Sequence, residues 1–123
     1  MNKSTFISEI RPLLKKRKYC KQGNYWYKLV DSHICCVNVQ GSQWDGDDYY
    51  VNIGFALQPQ KKPTILHWFC CHRCEGEGGE VNPQPHEVCG CVDSVLEKVL
   101  ETERISVMMA ERNAVKVGNQ YWF

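Results

Sequence analysis

The chain has 123 residues, 43% of them hydrophobic and 24% charged, which suits one globular domain and excludes global disorder. Fifteen Lys and Arg stand against 14 Asp and Glu, so there is no overall field for nucleic acid or an anionic membrane. No run nears the roughly 18 to 20 apolar residues of a membrane-spanning helix, and the first residues lack the apolar core of a signal peptide; the expectation is a cytoplasmic protein whose eight cysteines stay reduced.

Ile7, Ile10, Leu13 and Leu14 recur at helical spacing and run into Lys15 to Lys18, cations suited to a helix C-terminus. Pro12 conflicts with this helix at a cost of about 3 kcal/mol, so the helix is expected to start late or kink. From residue 24 the period is two. Tyr25, Tyr27 and Leu29 alternate with Trp26, Lys28 and Val30 up to an Asp31-Ser32 turn, and Ile34 to Gln40 follows as a second strand. After the turn-rich segment 41–48, a third strand sets Tyr49, Val51, Ile53, Phe55 and Leu57 on one face and Tyr50, Asn52, Gly54 and Ala56 on the other. Asp45, Asp47 and Asp48 read as part of a turn, because their order does not fit a calcium loop.

If the second and third strands pair antiparallel, Cys35, Val37 and Val39 share a face with Val51 and Ile53 only when partner numbers sum to an even value. Asn38, Gln40, Tyr50 and Asn52 then gather on the opposite face. Amides and a phenol there suit a protein or small polar ligand, and the competing reading covers the face with a helix. Exposure of Trp26, Trp44 or Trp68 would favour a protein partner.

Leu13-Leu14-Lys15-Lys16, Asn24-Tyr25-Trp26-Tyr27-Lys28, Asn38-Val39-Gln40-Gly41-Ser42 and Tyr50-Val51-Asn52-Ile53-Gly54 together resemble a bacterial family known as domain of unknown function 4304. The resemblance covers about residues 1–75. That family more often has Gly-Phe where this chain has Lys18-Tyr19. The resemblance implies a helix followed by a meander, and brings no activity, cofactor or catalytic residue with it.

A fourth strand, Thr64 to Phe69, leads into the cysteine-rich segment 67–91, which holds five of the eight cysteines and three of the four histidines. Cys71-His72-Arg73-Cys74 and Cys89-Gly90-Cys91 flank 14 residues rich in Gly, Pro and Glu. Such spacing can wrap Cys71, Cys74, Cys89 and Cys91 around a structural zinc ion, with Cys70, His72 and His86 as competing ligands. A closed four-thiolate site leaves no open position for chemistry. In a second reading Cys70 or Cys71 joins the fourth strand's core, Cys91 opens a helix's apolar face, and the rest are reduced surface thiols. A third makes Cys71 or Cys74 a nucleophile beside His67, His72 or His86.

Val92, Val95, Leu96, Val99 and Leu100 mark a second helix, with Ser94-Val95-Leu96-Glu97 as a capping box. Ile105 to Phe123 reads two ways: Val115-Lys116-Val117 alternates like a strand, while Met108 to Arg112 would extend a helix equally well. The expectation is a single α+β domain over residues 1–123, with an N-terminal helix, an antiparallel sheet of three to five strands and at least one further helix packed on it. Its expected role is a non-catalytic binding or interaction module, the alternative being an enzyme with a cysteine-histidine site in residues 67–91.

Overall fold

A computed structural model describes residues 1–23, 25–44, 46–57, 72–113, 115–117 and 120–122, with side chains described through residue 109. Helix α1 spans Lys3–Lys16. It starts earlier than expected because Asn2 caps it, its Oδ1 accepting the Thr5 N–H at 2.8 Å. Phe6, Ile10 and Leu14 lie one turn apart and are fully buried, with Ile7 and Leu13 packed beside them. Pro12 sits inside the helix on its exposed side. The lost hydrogen bond and ring clash, about 3 kcal/mol, are offset by the three buried side chains at roughly 1.5–3 kcal/mol each.

The helix closes in a Schellman turn. Tyr19 N–H donates to Leu14 O and Lys18 N–H to Lys15 O, both at 3.0 Å, while Lys18 adopts φ 69°, a left-handed conformation that glycine takes most readily.

The chain then forms a meander of five antiparallel strands in sequence order: β1 Cys20–Gln22, β2 Tyr25–Val30, β3 His33–Gly41, β4 Tyr49–Leu57 and β5 His72–Arg73. In the β3–β4 register Cys35 pairs with Phe55, Val37 with Ile53 and Val39 with Val51, while Asn38 pairs with Asn52 and Gln40 with Tyr50. This is the even parity that shared burial demands. Burial fades along β4: Phe55 is half-buried and Leu57, on the same face, is 72% exposed. The opposite face also changes along its length, since Ile34 and Cys36 near the β2–β3 turn are buried. The strand expected at Thr64 to Phe69 lies outside the described residues, and the shorter β5 pairs with β4 just after it.

Helix α2 spans Pro85–Asn113, so the capping box expected at Ser94 falls inside the helix. The start is built differently. Proline at the first helical position gives up an N–H that would have no helical partner there. Gln84 O accepts the Val88 N–H at 3.1 Å, and Glu87 Oε1 reaches back to the Gln84 N–H at 2.9 Å, which is the glutamate half of a capping box. Val88, Val92 and Val99 are buried, Val95 and Leu96 pack at the edge, and Leu100 is 48% exposed, against expectation. The helix runs through Met108 to Arg112, and Val115–Val117 (β6) then pairs with Gln120–Trp122 (β7). The segment is therefore helix first and a strand pair after it, a division that the spacing left open.

α1 and α2 cover one face of the sheet, where Tyr49 stacks on Phe6 with ring centroids 4.5 Å apart and donates its hydroxyl to Pro83 O at 2.7 Å. Two polar ties fasten α2. Arg17, expected at a solvated helix end, grips Asp93 through Nε and Nη2 at 2.8 and 3.0 Å. Glu103 Oε1 accepts the Ser32 N–H at 3.0 Å, takes the Ser32 hydroxyl, and lies 2.5 Å from His33 Nδ1, which pins the β2–β3 turn. The Asp48 carboxylate likewise accepts from Asn82 Nδ2 at 2.8 Å, while Asp45 lies outside the described residues.

Candidate functional site

Alternation along β3 and β4 delivers Asn38, Gln40, Tyr50 and Asn52 to the face away from α1 and α2. The structure adds a fifth residue, Arg73, placed opposite Asn52 by the β4–β5 register. Asn52 Nδ2 donates to Asn38 Oδ1 at 3.2 Å and to Gln40 Oε1 at 3.1 Å. Arg73 donates through Nε to Asn52 Oδ1 and through Nη2 to Gln40 Oε1, each at 3.3 Å. Its guanidinium carbon stands 4.2 Å from the Tyr50 ring centroid, a cation–π arrangement, and Glu80 Oε2 is a looser neighbour of Nη1 at 3.8 Å.

The face is not sealed. Gln40 and Arg73 are exposed, and Asn38, Tyr50 and Asn52 are half-buried. Gln40 enters the network through Oε1 alone, so its amide nitrogen is not committed within it. Arg73 had no signal in the sequence, because its register depends on how the connection 58–71 returns to the sheet. Of the tryptophans, Trp26 is buried, Trp44 in the β3–β4 connection is 92% exposed, and Trp68 lies outside the described residues.

The second feature is a cleft of about 670 Å³ between β4–β5 and α2. Ile53, Phe55 and Val95 form apolar wall, His72, Ser94 and Lys98 polar wall, and Cys74 and Cys91 also line it. The Sγ atoms of Cys74 and Cys91 are 2.7 Å apart. Burial pushes the Cys74 thiol far above the usual thiol range, and the shared hydrogen bond with Cys91 and the charges of Cys91, Glu87 and Glu75 push the same way. Glu87 also folds over the preceding loop, where its Oε2 accepts the Glu77 N–H at 2.7 Å. A Cβ at Gly76 would come within 2.6 Å of Glu87 Oε1, so glycine there makes room for the carboxylate. The backbone N–H groups of Gln84 and Glu77 hold Glu87 below its ordinary carboxylate range.

Of the four cysteines expected to converge, the structure brings together Cys74 and Cys91. Cys89 and Cys91 both lie in α2, where residues two apart point about 200° from one another. Cys89 therefore lies on the side that feels the charges of Arg17 and Asp93, and its placement follows from α2 starting at Pro85, before the cysteine pair. Cys71 and the competing ligand Cys70 lie outside the described residues, while His72 and His86 are exposed. Among the described residues no group of three or more His, Cys, Asp or Glu side chains is arranged to hold a metal. Cys35 and Cys36 are buried in the sheet, packed as small hydrophobes, and burial, then the neighbouring Cys36, pushes the Cys35 thiol up to about 11.

A family model described as Domain of unknown function (DUF4304) matches residues 10–100. The match reaches beyond the resemblance over residues 1–75 and takes in the whole polar face together with Cys74, Cys89 and Cys91. No curated protein and no solved structure matches the chain. Among the described residues no helix is long and apolar enough to cross a membrane.

Proposed function

We propose, for a chain that belongs to the family described as domain of unknown function 4304, a non-catalytic role as a binding module of the bacterial cytoplasm. It captures a protein or small polar ligand on the face made by Asn38, Gln40, Tyr50, Asn52 and Arg73. The observation that carries this reading is the linked network on that face. Four hydrogen bonds of 3.1–3.3 Å hold amides and a guanidinium in fixed positions at an accessible surface, so a ligand meets a preorganised pattern and little side-chain entropy is lost on binding. Arg73 commits its Nε and one Nη2 donor to Asn52 and Gln40, and its remaining N–H groups suit carboxylate or carbonyl oxygens. The alternative of a cysteine enzyme finds less support, because catalysis needs a base beside the thiol and among the described residues Cys74 meets Cys91 Sγ and Glu87 O rather than a histidine.

The test is to titrate isotopically labelled protein with a set of small polar fragments and short peptides while following its amide resonances. Binders should shift the side-chain amides of Asn38, Gln40 and Asn52 together, and Arg73→Ala should weaken them at least tenfold with the fold intact. Binders that cluster elsewhere and ignore Arg73→Ala would refute the reading.

A further inference from the structure

We propose that Cys74 and Cys91 are a reversible dithiol–disulfide pair, oxidised from the cleft between β5 and α2 by a small disulfide of the glutathione class. The inference does not rest on the binding face, although Arg73 of that face also lines the cleft. Both cysteines sit on secured backbone. Cys74 follows β5 and its N–H is bonded to Val51 O at 2.8 Å, while Cys91 lies in the second turn of α2. Their Sγ atoms are 2.7 Å apart, close to the roughly 2.05 Å of a disulfide bond, so the two sulfurs already stand within reach of one another. Cys89 lies on the other side of the helix, near Arg17 and Asp93.

Access sets the order of events. Cys91 is half-buried and lines the cleft. Cys74 is only 3% exposed, and its thiol donates to Glu87 O at 3.9 Å. Lys98, two helical turns beyond Cys91 and therefore on the same side of α2, also lines the cleft and offers a cation to the carboxylates of a glutathione-like peptide. The Cys91 thiolate attacks one sulfur of the small disulfide; that S–S bond breaks, and one small thiolate leaves and takes up a proton. Cys74 then gives its proton to solvent and attacks Cys91 Sγ, expelling the second small thiol. In total two electrons and two protons pass from the protein pair to the small disulfide, which becomes two thiols. The new bond ties β5, and with it the neighbouring Arg73, to α2.

The experiment uses the full chain equilibrated with mixtures of reduced and oxidised glutathione, quenched in acid, alkylated and mapped by mass spectrometry. No Lys or Arg lies between Arg73 and Lys98, so trypsin leaves Cys74, Cys89 and Cys91 on one peptide, and a glutamate-specific protease is needed to separate Cys74 from the other two. The expected product is a Cys74–Cys91 cross-link that dithiothreitol reverses, with Cys89 alkylated throughout. In Cys74→Ser, Cys91 should instead accumulate as the mixed disulfide with glutathione, whereas in Cys91→Ser the shielded Cys74 should stay reduced. Full alkylation of both thiols under oxidising mixtures would overturn the proposal. So would a cross-link from Cys91 to Cys70 or Cys71, or one zinc per chain that protects both thiols and is lost in Cys74→Ser.

Discussion

The two faces of the β3–β4 pair are built from the same backbone ladder and held by different physics. On one side Val37, Val39, Val51 and Ile53 meet Phe6, Ile10, Leu14, Val88 and Val92, all nearly without solvent contact. Their stabilisation comes from apolar area removed from water, which is non-directional and large. On the other side Asn38, Gln40, Tyr50, Asn52 and Arg73 satisfy one another in sight of solvent. Each hydrogen bond there replaces one to water, so its net worth is only about 0.5–1.5 kcal/mol. The first face carries most of the stability, and the second contributes little to it.

The largest effects should therefore come from the helix-covered face. Phe6→Ala removes a fully buried ring stacked on Tyr49 and should cost about 3–5 kcal/mol, and Ile53→Ala about 2–5 kcal/mol. Urea denaturation measures both as drops in midpoint at constant slope. A loss at Ile53 no larger than that at the exposed Gln43 would show that burial does not separate the two faces.

Acid tests the polar ties at the edges of the covered face. Glu103 is held below the ordinary value of 4.5 by the Ser32 hydroxyl, His33 and the Ser32 N–H. Glu87 is lowered by its two backbone donors, and Asp93 by Arg17. A carboxylate with a depressed folded pKa contributes stability above its unfolded pKa and loses it as pH falls through the folded value. Stability should thus be level above about pH 5 and decline as pH drops through 4 and below. Glu103→Gln and Asp93→Asn should each flatten that decline in denaturation curves taken from pH 6 to pH 3. Curves that keep the wild-type slope in both variants would place the acid sensitivity elsewhere. The Arg17–Asp93 pair is largely exposed, so its share stays below about 1 kcal/mol.

A gain is expected where α1 ends. Lys18 occupies a left-handed position, which costs a side-chain-bearing residue roughly 1 kcal/mol relative to glycine. The family that the sequence resembles more often has glycine there, and the Schellman turn supplies the reason. Lys18→Gly should raise the urea midpoint by an amount equal to about 1 kcal/mol, and a loss instead would mean that the Lys18 side chain makes a contact that outweighs the strain.

These contrasts also explain which parts of the molecule could be read from its residues. Period-two alternation is a property of the extended backbone itself, so parity alone placed Val37 against Ile53 and Asn38 against Asn52. Helix spacing found Ile10 and Leu14 but took Ile7 in place of Phe6 for the first turn of the buried stripe, since both are apolar and lie one residue apart. Cysteine spacing carries less information, since it implies convergence only if the intervening chain is a loop. Pro85 and Glu87 instead begin α2 ahead of Cys89 and Cys91, and a helix sends residues two apart to different sides. Gln84 is an uncommon N-cap, so the stronger-looking Ser94 drew the boundary away from the true one. Arg73 was illegible for a different reason: it reaches the polar face by strand pairing across the segment 58–71, and long-range register is written in no local pattern.

The smallest effects on stability should come from the polar face, and that is where the comparison is most exposed. Asn52→Ala removes two donated hydrogen bonds and one accepted from Arg73, yet the partners left behind are half-buried or exposed and water can replace what they lose. The cost should be about 1 kcal/mol or less. Arg73→Lys keeps a cation near Tyr50 but loses the fork that bonds Asn52 and Gln40 at once, and should stay within about 0.5 kcal/mol of wild type. Both variants should nonetheless weaken any ligand held on this face, because a ligand reads the positions of these groups and Arg73 fixes two of them. If Asn52→Ala proves as damaging as Ile53→Ala, the network is a structural element rather than a presented surface, and the division between a stabilising face and a recognising face fails.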